Sequence, residues 1–200
     1  MAQRCHGAAK GGHEPPKYRV GATFGAFRTT LLFDDGSKPL LEQLAVSASL
    51  EYRVNERITL VGAGGVMFLG SLGGAPTRPG GVGSLSLSYL LLEQGTWSPF
   101  LQFSGSLAVS SMRVVDTNYV AIDVRAGLAA GWTFFERLTP YAVVRAFGGP
   151  VFYGSALGTD AYHVQLGAGL VVGLPWGLDL SAELIPLGEQ RVTAGLCGSF

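Results

Sequence analysis

The 200-residue sequence contains little charge: lysine, arginine, aspartate and glutamate make up 14% of it, in 14 basic and 14 acidic residues. A protein that binds nucleic acid needs an excess of basic charge to neutralise phosphates, so we expect no nucleic-acid partner. With 48% hydrophobic residues, the chain is also too apolar to be intrinsically disordered. Its length favours a single domain.

Cysteine is scarce as well, and long hydrophobic runs are missing. Cys5 and Cys197 lie at opposite ends of the chain without metal-binding spacing, so we expect neither a metal nor a cofactor. A transmembrane helix needs about 20 consecutive apolar residues. The longest candidate window, residues 119–135, is interrupted by Asp123 and Arg125. The sequence therefore predicts no transmembrane helix.

What the sequence does contain is apolar residues at every second position. Every even position from Val120 to Phe134 is apolar, while the odd positions are mostly small, polar or charged. The alternation recurs in residues 44–54, 101–109 and 164–174. A period of two indicates β-strands with two different faces, and these strands are longer than average. The pattern predicts an all-β fold: a single closed antiparallel β-barrel that crosses a bilayer, apolar outside and polar in the lumen.

About ten such strands follow one another along the chain, with eight as the fallback count. The predicted spans are 17–30, 43–54, 57–69, 82–93, 99–113, 119–134, 139–153, 161–174, 177–186 and 190–200. Tight turns alternate with longer connections such as residues 31–42 and 70–81. An even number of strands places both termini on the tight-turn side. This arrangement is typical of barrels with short periplasmic turns and longer external loops.

Aromatic residues gather near the tight-turn ends of the predicted strands. The side chains expected at this interface are Tyr52, Trp97, Trp132, Phe134, Tyr141 and Trp176. Tryptophan and tyrosine favour the boundary between lipid and water because their rings are apolar with one polar group. The set is interpreted as an interfacial aromatic girdle, although aromatic residues are also common in ordinary strands.

The second face of the strands carries acids and bases in comparable number. The residues predicted to form a charge network in the lumen are Arg19, Glu51, Arg53, Asp123, Arg125, Glu183 and Arg191. We expect the three acids to pair with the arginines, because an unpaired buried charge is costly. The network either fills and fixes the barrel or forms an ion-selective constriction. Strand seven is ambiguous, since Arg145 shares a face with Tyr141 and lies either in the lumen or near the outer rim.

The last strand carries a resemblance to a known family. Val192, Ala194 and Leu196 alternate in step with a terminal Phe200. This pattern resembles the C-terminal assembly signal of bacterial outer-membrane barrels, and residues 17–200 resemble the small OmpA-like, OmpX-like and opacity-protein-like barrels. The resemblance implies a Gram-negative outer membrane as location. It also implies contact with the lipid bilayer and lipopolysaccharide, and recognition by the barrel-assembly machinery.

The first 16 residues are predicted to be a flexible N-terminal leader, separate from the barrel of residues 17–200. They contain two consecutive prolines and no apolar segment of the length that a signal peptide needs. An outer-membrane barrel must be exported, so we expect its export signal to lie upstream of Met1.

Three functions fit this barrel. The leading prediction is a non-enzymatic outer-membrane barrel with a structural or surface-interaction role, with a narrow pore as an open variant and an unknown external ligand. The second is an outer-membrane hydrolase that uses His163, which stands near an external rim but points inward by alternation. The third is a soluble ligand-binding β-barrel.

Overall fold

The computed structural model describes residues 16–199, which are almost entirely β-structure. The strands are β1 Tyr18–Phe33, β2 Leu40–Arg53, β3 Ile58–Leu72, β4 Ala75–Pro76, β5 Gly80–Leu92, β6 Phe100–Val114, β7 Thr117–Gly131, β8 Leu138–Gly148, β9 Val151–Tyr153, β10 Ala156–Asp160, β11 Val164–Leu174, β12 Leu178–Leu187 and β13 Gln190–Ser199. Within this part of the chain, no helix is long and apolar enough to cross a membrane. Phe200 of the C-terminal signal and residues 1–15 of the predicted leader lie outside the described residues.

Ten long strands close into an antiparallel barrel. Around the wall, β1, β2, β3, β5, β6, β7, β8, β11, β12 and β13 follow chain order. Closure is made by β13 and β1, which pair from Arg19 opposite Ser199 to Arg28 opposite Gln190. A closed wall leaves no strand edge with unpaired N–H and C=O groups, which lipid could not satisfy. The predicted all-β fold and its ten strands are confirmed.

The barrel narrows at the end opposite the tight turns. There β9 continues the course of β8 along β7, and the β9–β10 hairpin reaches across to β1, where Leu31 faces Asp160. Along β1, residues 19–28 pair with β13 and residues 31–33 pair with β10. At this end of the barrel, β10 therefore closes the wall, and β11, β12 and β13 are not part of it. The ring at this end consists of β1, β2, β3, β4, β6, β7, β9 and β10, with Thr77 bridging to Val114 of β6. The interior of such an eight-stranded ring is just wide enough for side chains to fill.

The longer connections contain more strand than predicted. Residues 31–42 were expected to form a loop, but β1 continues to Phe33 and β2 begins at Leu40. Hydrogen bonds from Leu31 N to Pro39 O at 3.0 Å and from Phe33 N to Ser37 O at 3.1 Å tighten this turn. Residues 70–81 and 154–160 likewise contribute to β3, β4, β5 and β10. Backbone pairing continues through polar and glycine-rich residues because it requires only N–H and C=O groups.

An apolar band surrounds the barrel on the side of the tight turns. On β2, the outward residues from Leu44 to Tyr52 are apolar at every second position. That distance is about the nine to eleven residues that a tilted strand needs to cross a bilayer. Val124 on β7 belongs to the same band, and 56% of its surface is exposed. A band of exposed apolar side chains on this scale is typical of a surface that contacts lipid.

The two faces exchange their chemistry in the narrow, eight-stranded end, here called the cap. Several outward positions become charged, as at Arg28, Glu42 and Arg113, beside the exposed apolar side chains of Leu32, Phe152 and Leu157. Inward positions become apolar and are buried; these side chains, the cap core, are Leu31, Phe33, Leu41, Met67, Leu72, Met112, Val114, Tyr119 and Val151. The cap therefore encloses an apolar core, as a water-soluble β-barrel does, whereas the band beneath it encloses polar and charged side chains.

Aromatic side chains surround the outer face of the barrel near the tight turns. Trp97 and Trp176 are 94% and 91% exposed at turns, and Trp132 and Phe134 are exposed beside them. The ring of Tyr52 packs against that of Tyr18, with 5.3 Å between the centroids. These positions are compatible with an interfacial girdle.

Tyr141 differs from its predicted position in that girdle. The odd positions of β8 face the lumen, so that Thr139, Tyr141, Val143 and Phe147 lie on one inner face with Arg145. The hydroxyl of Tyr141 donates a hydrogen bond to Glu183 Oε2 at 3.0 Å inside the barrel. A buried tyrosine hydroxyl needs such a partner, which the lipid face would not provide.

Candidate functional site

A belt of buried charged side chains crosses the lumen beneath the cap. Arg125 on β7 forms an ion pair with Asp123 and donates hydrogen bonds to Glu189 Oε2 at 2.7 Å and to Gln165 Oε1 at 3.4 Å. Glu189 also forms an ion pair with Arg191, so that one carboxylate lies between two guanidinium groups. All of these side chains except that of Asp123 are almost fully buried. Mutual pairing is what makes their burial tolerable.

A second ion pair extends the belt along β8 and β12. Arg145 donates from Nη1 to Glu183 Oε1 at 2.8 Å and from Nη2 to Glu183 Oε2 at 2.7 Å. This two-pronged geometry is the strongest form of a guanidinium–carboxylate contact. The seventh predicted strand, residues 139–153, corresponds to β8 and β9. Arg145 lies in the lumen, which settles the direction left open for this strand. The guanidinium of Arg125 also lies 5.2 Å from the centroid of the Phe147 ring, within the range of a cation–π contact.

A third group of charges lies nearer the tight turns. Arg19 forms an ion pair with Asp179, and its Nε donates a hydrogen bond to Ser199 Oγ at 2.9 Å. The β1–β2 register places Arg19 opposite Glu51, which is buried on the inner face of β2. Arg53 ends the same strand and is half-buried.

The structure thus places the predicted network residues on the inner side of the wall, but several of their partners differ from expectation. Arg19 pairs with Asp179, Glu183 with Arg145, and Arg191 with Glu189. Glu189 follows a glycine in a tight turn, in the gap between the predicted strands 177–186 and 190–200. Glu189 lies two residues before Arg191 and so would share its face of an extended chain. This period of two is the signal that would have placed Glu189 in the lumen.

Two cavities flank the belt. The upper one, between the belt and the cap core, has a volume of about 140 Å³. Its walls are mostly apolar and its floor is charged; its lining includes Phe27, Leu31, Leu41, Met67, Val82, Val151, Asp123, Arg125, Glu189 and Arg191. The lower one has a volume of about 80 Å³, and its lining includes Ser86 and Ser88 of β5, Ser104 and Ser106 of β6, and the charged side chains of Arg125, Arg145, Glu183 and Arg191. Arg125 and Arg191 line both cavities, so the belt separates them.

His163 is exposed at the connection between β10 and β11. Its Nδ1 lies 3.3 Å from the carbonyl oxygen of Phe147. In residues 16–199, no carboxylate forms a hydrogen bond or ion pair with His163, and no group of three His, Cys, Asp or Glu side chains is placed to hold a metal ion. Asp160 is near enough to His163 for an electrostatic interaction, but the two side chains form no hydrogen bond.

The hydroxyl of Tyr141 offers a direct test of this arrangement. We expect Tyr141→Phe to lower the free energy of unfolding by about 1.5 kcal/mol, because Glu183 loses a buried hydrogen bond to its charged carboxylate. Tyr52→Phe on the outer face is the matched control and should change it by less than about 0.5 kcal/mol. Denaturant unfolding in lipid vesicles measures both. Equal losses in the two variants would contradict the inward placement of Tyr141.

No protein-family model matches the sequence, and no curated protein matches it. An outer membrane channel from Pseudomonas putida F1 matches 94% of this chain and 97% of its own, at 10% identity and a TM-score of 0.57. The β domain of the Bordetella autotransporter BrkA matches 94% of this chain and 100% of its own, at 12% identity and a TM-score of 0.53.

A protease is also among the similar structures. The outer membrane protease OmpT from Escherichia coli matches 96% of this chain and 100% of its own, at 9% identity and a TM-score of 0.55. At such identities the likeness concerns the fold and carries no activity to this chain. The finer resemblance to OmpA-like, OmpX-like and opacity-protein-like barrels stays a prediction. The chain has the fold of the small bacterial outer-membrane β-barrels.

Proposed function

We propose that the protein resides in the outer membrane of a Gram-negative bacterium as a closed, non-enzymatic barrel with a structural or surface-interaction role. The apolar band and the exposed aromatic rings near its edge support a position in the bilayer. With the tight turns toward the periplasm, the cap projects from the cell surface. Contact with lipopolysaccharide and insertion by the barrel-assembly machinery are part of this proposal.

The outer surface of the cap supports its exposure to water. Arg28 lies 3.4 Å from Glu42, and Arg78 lies 3.2 Å from Asp116, with all four side chains well exposed. Charged pairs of this kind are favourable in water and costly in hydrocarbon. The cap is therefore the part of the barrel available to an external partner.

The observation that carries the closed state is the filling of the lumen at two levels. The cap core fills the eight-stranded ring with apolar side chains, and the charged belt crosses the lumen beneath it. Apolar constrictions oppose ion passage because an ion would have to shed its water there. The belt, with its arginines paired to acids, favours a role in fixing the barrel over one in conduction.

Conductance in a planar bilayer tests this proposal. We expect the folded protein to produce no reproducible current steps in 1 M KCl, a salt concentration of the order used to reveal narrow pores. Heat-modifiable migration in detergent gels should confirm that the same sample is folded. Phe152→Ala, which alters an outward side chain of β9, serves as a non-conducting control.

Reproducible current steps from the folded native protein would overturn the closed-barrel proposal. The attribution to the lumen would be secured if Tyr119→Ala, which shortens a cap-core side chain, changed the size of the steps while Phe152→Ala did not. Current in unfolded samples alone would reflect disturbed lipid and leave the expected result standing.

A further inference from the structure

We propose that the upper cavity is a binding site for a small neutral molecule with an apolar body about the size of one aromatic ring and a single hydroxyl or similar hydrogen-bonding group. The inference goes beyond the closed-barrel role, because a non-conducting barrel can be empty or occupied. Three features of the cavity carry it: its size, two unpartnered polar atoms in its floor, and the pairing of both its arginines with acids.

The size and walls of the cavity match a single ring. Its volume of about 140 Å³ is bounded by Phe27, Leu31, Met67, Val82 and Val151 among others. An apolar cavity of about 150 Å³ in a protein interior stays dry and binds benzene. The upper cavity therefore has room for one monocyclic molecule or a short aliphatic chain, and its walls favour an apolar body.

The floor of the cavity contains a donor and an acceptor without partners. Among the described residues that line the cavity, Arg191 Nη1, Asp123 Oδ1 and Glu189 Oε1 are buried and form no hydrogen bond. Glu189 Oε1 is in ion-pair contact with Arg191, so the first two atoms are the ones without a partner. Both residues line the cavity, and Arg191 is only 4% exposed. Buried polar atoms in proteins are nearly always satisfied, so this pair points to a group that would complete them. A hydroxyl does so, since it can accept from Arg191 and donate to Asp123.

The charge of the floor excludes an anion. The charged side chains that line the cavity are Asp123, Arg125, Asp160, Glu189 and Arg191. Arg125 pairs with Asp123 and Glu189, and Arg191 pairs with Glu189, while Asp160 accepts a hydrogen bond from Thr29 and forms no ion pair with a described residue. Both arginines are thus already paired, so an anionic ligand would lose its hydration and find no free counter-ion. We therefore expect a carboxylate group to be rejected.

Phenol, toluene and benzoate are suitable probes, because they share one ring and differ in the group attached to it. The folded protein in lipid nanodiscs, labelled with ¹³C at the methionine methyl groups, supplies the readout. Met67 lines the cavity, so its methyl resonance should move saturably as phenol is added. Toluene should bind about tenfold more weakly, since it lacks the hydrogen bond to the charged floor. Benzoate should produce no saturable shift, because both arginines of the floor are already paired.

Variants that fill the cavity separate this site from the lipid-facing surface. Ala45→Leu and Ala108→Leu place a larger side chain in the lining, whereas Ala48→Leu changes an outward position on the same strand as Ala45. We expect either filled variant that folds to lose at least about tenfold in phenol affinity, while Ala48→Leu retains it. Heat-modifiable migration shows which variants fold.

Four outcomes would overturn the proposal: no saturable shift of Met67 in the native protein, undiminished binding in a folded filled variant, toluene binding as tightly as phenol, or a saturable shift with benzoate. A conducting barrel would contradict the closed state without bearing on these titrations. The two proposals can therefore fail independently.

Discussion

Glu189→Gln is expected to lower the free energy of unfolding by about 3 to 5 kcal/mol, the usual effect of removing one partner from a buried ion pair. Glu189 lies between Arg125 and Arg191, and it is 3% exposed. Glutamine keeps the shape of the side chain and removes its negative charge. Two buried guanidinium groups would then face each other with Asp123 as the acid that remains beside Arg125.

Equilibrium unfolding in guanidinium chloride with lipid vesicles, followed by tryptophan fluorescence, measures this change. Glu42→Gln is the matched control, because Glu42 pairs with Arg28 on the exposed surface of the cap. Its loss should be below about 1 kcal/mol, as is usual for exposed pairs. If Glu189→Gln cost no more than Glu42→Gln, the belt would not be the buried network described above.

Val124→Arg should destabilise the barrel in a bilayer by about 1 to 3 kcal/mol, because an arginine on the lipid face costs about 2 to 4 kcal/mol at the bilayer midplane and less toward the interfaces, and Val124 lies toward the cap end of the band. Val124 points outward from the apolar band and loses no packing partner in the lumen. The penalty arises from the lipid alone. A soluble barrel would tolerate the same substitution, because an exposed arginine in water costs little.

Ser111→Arg is the matched control for Val124→Arg, since Ser111 is exposed on the outward face of the neighbouring strand β6 and lies in the cap. It should change the free energy of unfolding by less than about 0.5 kcal/mol. The same vesicle-based unfolding measurement applies to both variants. Similar small effects for the two would favour the soluble ligand-binding barrel over the membrane barrel.

The strands of this fold were predictable because their signal is local. Alternation over residues 120–134 identifies β7 and its two faces, and the observed strand covers Thr117–Gly131. The inward placement of Arg125 and Asp123 follows from the same period of two. Tight turns of two to five residues added the antiparallel connectivity, from which closure followed once a lipid environment was assumed.

The cap and the ion-pair partners depend on contacts between distant parts of the chain. β10 can pair with β1 because β13 ends its own pairing with β1 at Arg28 and leaves residues 31–33 free to pair. No local pattern in residues 156–160 indicates this. The sequence left open whether the Arg145 side chain points to lipid or to the lumen. Tyr141, Val143 and Phe147, which share its face of β8, are compatible with either environment. The change of polarity along the axis was visible at Arg28 and Glu42, which share a face with the apolar residues of their own strands.

The cap and the apolar band differ in which side chains they bury inside the barrel. In the band, burial of polar groups in the lumen requires the ion pairs of Arg19, Arg125 and Arg145. In the cap, burial of apolar side chains supplies the stabilisation in the usual way for a protein in water. The boundary between the two regions is where the upper cavity lies, with apolar walls and a charged floor.

Contact between lipid acyl chains and individual methyl groups tests the central claim, that the barrel faces lipid along the band and encloses an apolar core in the cap. In lipid nanodiscs, methyl NMR should show nuclear Overhauser effects from acyl-chain protons to Val124 and Leu107, which point outward in the band. It should show none to Leu31 or Val114, which are 1% exposed inside the cap. Acyl-chain contacts to the cap-core methyl groups, or their absence at Val124 and Leu107, would contradict the account.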